Sequence, residues 1–124
     1  MEFFPDGSLL DAVKKREFSD KEKLHFCLEL TQAIWHLHAL HVIHGDLALR
    51  NVLVDVQKQP MRAVLTDFGQ SCRHPCESQI ETICPRWYTL SKEIAIYSFI
   101  LRSSPELVRT RLLTFESDIW AVGV

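Results

Sequence analysis

The chain has no apolar run near the roughly 20 residues that a bilayer-spanning helix needs. Its opening, Met1-Glu2-Phe3-Phe4-Pro5-Asp6-Gly7, lacks the basic-then-apolar plan of a secretory leader. Excess positive charge is also missing: 14 Lys and Arg are scattered among 16 Asp and Glu, for a formal net charge of −2. Nucleic-acid binding by bulk electrostatics is thereby disfavoured. Internal repeats and low-complexity tracts are absent. The four cysteines, Cys27, Cys72, Cys76 and Cys84, come without a leader, so reduced thiols are the default expectation. Cys72, His74, Cys76 and Cys84 lack the paired-knuckle spacing of a zinc site and read as loop thiols.

What remains is an ordinary globular composition, 47% hydrophobic and 24% charged over 124 residues, enough for one folding unit with one modest core. Pro5 and Gly7 mark an opening turn, and positions 8 to 15 predict a short helix. Ser19-Asp20-Lys21-Glu22 has the form of a capping box, with serine at the N-cap and glutamate three residues on. Leu24, Cys27, Leu28, Thr31, Ile34, Trp35 and His38 then recur at helical spacing, predicting a long amphipathic helix over 20–40. Val52-Leu53-Val54 and Ala63-Val64-Leu65 flank a polar turn at Gln57-Lys58-Gln59-Pro60 and predict a hairpin. Pairing those strands brings Asn51 and Asp67 to one edge. From Gln70 to about Ile83 there is no periodicity and a loop is expected; a last helix is expected from Ser117 as N-cap.

Chemistry concentrates in His44-Gly45-Asp46-Leu47-Ala48-Leu49-Arg50-Asn51 and in Asp67-Phe68-Gly69. Phosphoryl transfer from ATP needs a carboxylate facing the attacking hydroxyl. It also needs an amide oxygen and a second carboxylate to hold Mg²⁺ against the phosphates. With these motifs in order, the chain resembles the middle of a eukaryotic protein kinase domain. Met1 to Leu9 resembles the hinge between two lobes (hinge 1–8), with Met1 at the gatekeeper position. Pro105-Glu106-Leu107-Val108 resembles the close of the activation segment (67–106). Ser117 to Val124 resembles the start of the central helix (117–124).

The resemblance implies an α+β fold: the mostly helical large lobe of a protein kinase, with a small β-hairpin at the catalytic loop (44–51) and a metal-binding turn (67–69), truncated at both ends. It assigns Asp46 to orient the substrate hydroxyl and accept its proton, Arg50 to neutralise the transferring phosphate, and Asn51 and Asp67 to hold Mg²⁺. Backbone groups of Glu2 and Phe4 would bind adenine, with Leu9 and Leu53 sandwiching its ring. Asp118 would hydrogen-bond the catalytic-loop backbone, and His44 with Phe68 would pack as support. Ala48 and Arg50 resemble the tyrosine-directed branch, and Arg86-Trp87 agrees with it. The implied partners are ATP with Mg²⁺ and a protein substrate. The implied location is cytoplasmic, or the intracellular part of a membrane receptor.

The sequence departs from this pattern in three places. Gly45 replaces the arginine that normally precedes the catalytic aspartate and pairs with a phosphorylated residue. Positions 70–86 contain no tyrosine, so that switch is lost on both sides. Positions 88 to 104 intervene where related kinases have two residues, which marks 89–103 as an insertion or a short intron retained in frame. A transcript joining Tyr88 directly to Ser104 would establish the intron. Finally, no glycine-rich phosphate loop or Val-Ala-x-Lys strand precedes the hinge, and the isolated chain is expected to be inactive. A pseudokinase-like binding module and a truncated product that does not fold alone are the alternatives to an enzyme.

Overall fold

The computed structural model describes residues 2–74, 76–77, 104–110 and 112–123. Met1, residues 78–103 of the expected activation segment with Arg86-Trp87, and the expected insertion at 89–103 lie outside the described residues.

Ser8 is extended, and its hydroxyl accepts the Asp11 amide at 3.1 Å, so helix α1 (Leu9–Lys15) starts immediately after it. Lys14 and Lys15 lie in its last turn, where cations suit the helix dipole. Helix α2 (Asp20–Ala39) opens on the expected capping box: Glu22 N donates to Ser19 Oγ at 3.3 Å, and Ser19 N donates to Glu22 Oε2 at 2.8 Å. That amide bond is the chief reason the Glu22 carboxyl is held below the usual carboxylate range. The helix ends where His41 turns to φ 57°, a left-handed position that histidine tolerates better than most residues.

Strand β1 (Val42–Ile43) follows at once, then a single 3₁₀ turn (Leu49–Asn51), then strands β2 (Val52–Asp55) and β3 (Arg62–Leu65). β2 and β3 pair antiparallel with Val52 opposite Leu65 and Asp55 opposite Arg62, the expected hairpin extended by one pair toward its turn. In that turn Asp55 Oδ1 accepts the amides of Gln57 and Lys58 at 3.2 and 3.3 Å. The chain's opening segment is fastened to the same hairpin, with Val54 N donating to Gly7 O and Val56 N donating to Asp6 Oδ2.

Two short strands, β4 (Cys72–Arg73) and β5 (Cys76–Glu77), occupy the stretch expected to be loop. β4 pairs antiparallel with β1, and β5 with β6 (Leu112–Leu113), which follows helix α3 (Pro105–Thr110). Two-residue strands are too short for any periodicity to register; only a partner distant in sequence creates them. Helix α4 spans Phe115–Gly123 and so begins two residues before the expected Ser117. Ser117 lies inside its first turn, and its hydroxyl reaches back to accept the Thr114 amide at 3.2 Å.

The main core gathers Leu9 and Ala12 of α1, Phe18 of the connection before α2, Phe26 and Ile34 of α2, Leu47, and Val52, Val54 and Leu65 of the hairpin. Burying Phe26 or Ile34 stabilises the fold by roughly 1.5–3 kcal/mol each. Phe18 and Phe26 meet edge to face with centroids 5.3 Å apart. The expected inward stripe of α2 requires correction. Leu24, Leu28 and Trp35 are exposed, and the packed residues are Phe26, Leu30, Ala33, Ile34 and Leu37. Apolar residues surround much of this helix, so spacing alone does not choose the side that meets β3. A second, smaller cluster joins Ile43, Leu107 and Leu113, with Cys72 and Phe115 against it. Cys72 also departs from the thiol expectation: it is disulfide-bonded, while Cys27 is free and exposed. Composition speaks to compartment, not to which sulfurs a fold brings together. Among the described residues, no helix is long and apolar enough to cross a membrane.

Candidate functional site

The segment between β1 and β2 has a regular ladder on neither side, so its backbone depends on buried side chains. Asp118 of α4 supplies most of that support. It is 1% exposed; its Oδ2 accepts His44 N at 2.8 Å and its Oδ1 accepts Gly45 N at 2.9 Å. The same Oδ2 accepts His38 Nε2 at 2.9 Å, which fastens the end of α2 to the same carboxylate. A carboxylate meeting three donors satisfies the orphan amides that a tight non-helical loop would otherwise bury.

His44 is wholly buried, and both its ring nitrogens are used. Nε2 lies 3.0 Å from Thr66 O, which can only accept, so this nitrogen carries the proton. Nδ1 then accepts the Asp46 amide at 3.3 Å. The ring faces Phe68 at 5.0 Å between centroids. His44 is thus a spacer linking the loop to β3 and to the turn after it. It has no nitrogen left for proton transfer.

Asp46 projects from this frame. Arg50 Nη2 donates to both its carboxylate oxygens, at 3.0 and 2.8 Å. Asn51 Nδ2 donates to the Asp46 carbonyl at 2.7 Å and to its Oδ2 at 3.0 Å. These charge-assisted contacts fix the carboxylate's rotamer and orientation.

Thr66 N donates to Asn51 O at 2.9 Å, continuing the hairpin one step beyond Val52 and Leu65. Asp67 therefore emerges at the Asn51 edge, as expected. Asp67 has φ 62° and is exposed, its Oδ1 accepting the Gly69 amide at 3.3 Å. Aspartate, like histidine, tolerates this left-handed position better than most residues.

Asn51 and Asp67 fit a hard cation. Asn51 is 4% exposed, and its Nδ2 is committed to Asp46, leaving Oδ1 without a partner among the described residues. An amide oxygen and a carboxylate at one edge suit Mg²⁺, which usually keeps several waters and binds through few protein groups. No group of three His, Cys, Asp or Glu side chains among the described residues is placed to hold a metal ion.

The nucleotide-side expectations are distributed differently. Glu2 is exposed, and its carboxylate takes Arg62 Nη1 at 2.6 Å and Lys58 Nζ at 3.2 Å, binding the opening segment to the hairpin. The Phe4 carbonyl accepts Gly7 N at 3.2 Å and closes a turn. Leu53 is half-buried, whereas Leu9 is 5% exposed within the main core. Spacing puts His38 on the helical stripe of α2 but does not mark it as a partner of Asp118. The available signal was its position four residues after the buried Ile34, on the inward side of α2.

Residues 1–124 match the family model of protein tyrosine and serine/threonine kinases. The chain is 29% identical over 125 residues to the mitosis inducer protein kinase cdr1 of Schizosaccharomyces pombe, covering 100% of this chain and 19% of that protein. It is 30% identical over 126 residues to Fer-related kinase 1 of Caenorhabditis elegans, covering 100% of this chain and 28% of that protein. Identity to the serine/threonine-protein kinase shk2 of Schizosaccharomyces pombe is 28% over 124 residues, covering 100% of this chain and 18% of that protein. The chain thus spans less than a third of the length of these relatives. With the family model matched from end to end, the chain belongs to the protein tyrosine and serine/threonine kinase family.

Proposed function

We propose that this segment carries the phosphoryl-transfer site of an ATP- and Mg²⁺-dependent protein kinase directed at tyrosine, within the large lobe of the kinase fold. The observation that carries the reading is the Asp46–Arg50–Asn51 triad, with Asp67 brought to the Asn51 edge by the hairpin. Asp46 orients the attacking hydroxyl and takes its proton. Arg50, whose guanidinium already lies on Asp46, meets the charge that develops on the transferring group. Asn51 Oδ1 and the Asp67 carboxylate are the protein's Mg²⁺ ligands. Bound Mg²⁺ neutralises phosphate charge, and the rest of the catalysis is positioning and preorganised electrostatics.

Two features support tyrosine. Ala48 leaves the position two residues after Asp46 without a cation, and Arg50 places one four residues after it. A longer phenolic side chain reaches farther into the site, so a displaced cation suits it. Glu2 and Phe4 are proposed to line the adenine end through backbone groups, with Leu53 beneath the ring; Leu9 supports that wall from within the core. The proposed location is cytoplasmic, or on the intracellular side of a receptor.

The test is phosphoamino-acid analysis after incubating the longest product of the transcript with labelled ATP, Mg²⁺ and an equimolar mixture of tyrosine and serine peptides. Phosphotyrosine is the expected product. Phosphoserine alone would overturn the tyrosine assignment, and absence of label in both would overturn the transfer reading.

A further inference from the structure

Gly45 raises a mechanical question. Its φ is 81°, and a Cβ at this position would lie 2.8 Å from the Gln70 carbonyl oxygen and 3.5 Å from Leu113 Cδ1. Loop and post-Asp67 segment therefore meet here backbone against backbone, with Leu113 filling the space beside them. No cation from position 45 is available to hold the segment, so its placement depends on other contacts.

Beside the β5–β6 pairing, several of those contacts converge on one ring. β1 and β4 pair for two residues only, Val42 with Arg73 and Ile43 with Cys72, and His74 N adds a bond to His41 O at 2.9 Å. So short a ladder does not persist by itself. Immediately beyond it, His74 stacks on Phe115 with centroids 4.6 Å apart and planes 20° from parallel. Phe115 also meets His38 at 4.7 Å and His41 at 6.4 Å. The ring packs against the Ile43–Leu107–Leu113 cluster as well. One aromatic side chain thereby touches the end of α2, the turn before β1, the end of β4 and the second core.

We propose that Phe115 and His74 form a latch whose stacking, added to the short β1–β4 and β5–β6 pairings, positions the segment following Asp67–Gly69 against the catalytic loop, with no requirement for a phosphorylated residue. The link to catalysis rests on the reading of Asp67 as a Mg²⁺ ligand; the latch itself does not. Both are positioning residues: neither lies among the groups assigned to nucleotide, metal or substrate. Electrostatics agree with the placement. The Glu116 carboxyl is held below the usual range, first by its own backbone amide and the Thr114 hydroxyl, and further by His74 and His38 nearby. Arg73 of β4, Asp118 of α4, and Glu106 and Arg109 of α3 also carry charge on elements that meet here.

The test is amide hydrogen exchange at His74, read in reductant so that a covalent tether at Cys72 does not mask the result. His74→Ala and Phe115→Ala are expected to lower protection of the His74 amide roughly tenfold, the scale set by one aromatic pair. His74→Phe and Phe115→Tyr, which keep a stackable ring, are expected to restore it. Protection of the Ile34 amide, in the other core, should stay unchanged, as should protection at His74 after phosphatase treatment. Because the His74 side chain is exposed, His74→Ala leaves the cores intact and gives an answer even if Phe115→Ala fails to fold. Unchanged His74 protection in His74→Ala, an equal loss at Ile34, no rescue by the aromatic variants, or a loss on phosphatase treatment would each overturn the latch. If the latch behaves as proposed but Mg²⁺ and ATP do not bind, the reading of Asp67 fails and the latch stands.

Discussion

Asp46→Asn is expected to lower the rate of phosphoryl transfer roughly 10²–10⁴-fold, the usual contribution of a positioned general base. The substitution is nearly isosteric, so the frame around it should persist: the Asp46 amide still reaches His44 Nδ1, and Asn51 still reaches the Asp46 carbonyl. What changes is the group facing the substrate. An amide cannot take the hydroxyl's proton, and it presents Arg50 with one oxygen in place of two. Nucleotide affinity should hardly move, because Asp46 is not among the metal ligands. Single-turnover rates on a tyrosine peptide, set beside ATP affinity, measure both parts. A fall of less than about tenfold would remove Asp46 from its role, since the lower bound for such a base is about 10²-fold.

Asp118→Ala is expected to destabilise the fold by roughly 3–5 kcal/mol, as removal of one partner from a buried charge-assisted network does. Its carboxylate is the acceptor for His44 N, Gly45 N and His38 Nε2, and the residue is buried. Two loop amides would lose their acceptor together. Against the roughly 5–15 kcal/mol that holds a typical domain, such a loss is large. Asp118→Asn should cost nearly as much. Either orientation of the amide sets an NH₂ group against a donor: Gly45 N on one side, His44 N and His38 Nε2 on the other. Urea denaturation of the two variants beside the parent chain reads the effect. A change below about 1 kcal/mol, the net worth of one ordinary hydrogen bond, would show that the loop does not rest on Asp118.

What could be read without the structure was local. The capping box at Ser19 and Glu22, the strands around Gln57–Pro60 and the edge shared by Asn51 and Asp67 all follow from neighbours a few residues apart. Their physics is complete within one turn or one hairpin. The features that were not legible depend on residues far apart in the chain. His38 and Asp118 are 80 positions apart, and neither residue type by itself indicates the other. β1 and β4 exist only because they meet; neither is long enough to show alternation. The buried side of α2 is not legible because Leu24, Leu28 and Trp35 make as good an apolar stripe as Phe26, Leu30 and Leu37. Only contact with β3 separates them. The start of α4 moved from Ser117 to Phe115 because Ser117 caps from inside the helix, a geometry that its sequence neighbourhood does not distinguish from an N-cap.

The central claim is that Asn51 and Asp67 form the metal-binding edge of a nucleotide site, and calorimetric titration of ATP tests it most directly. The chain and its Asp67→Asn variant would each be titrated with and without Mg²⁺, after confirming equal unfolding midpoints. The account predicts binding that needs Mg²⁺ and that Asp67→Asn abolishes. ATP binding that is indifferent to Mg²⁺, or equal in the two proteins, would contradict it.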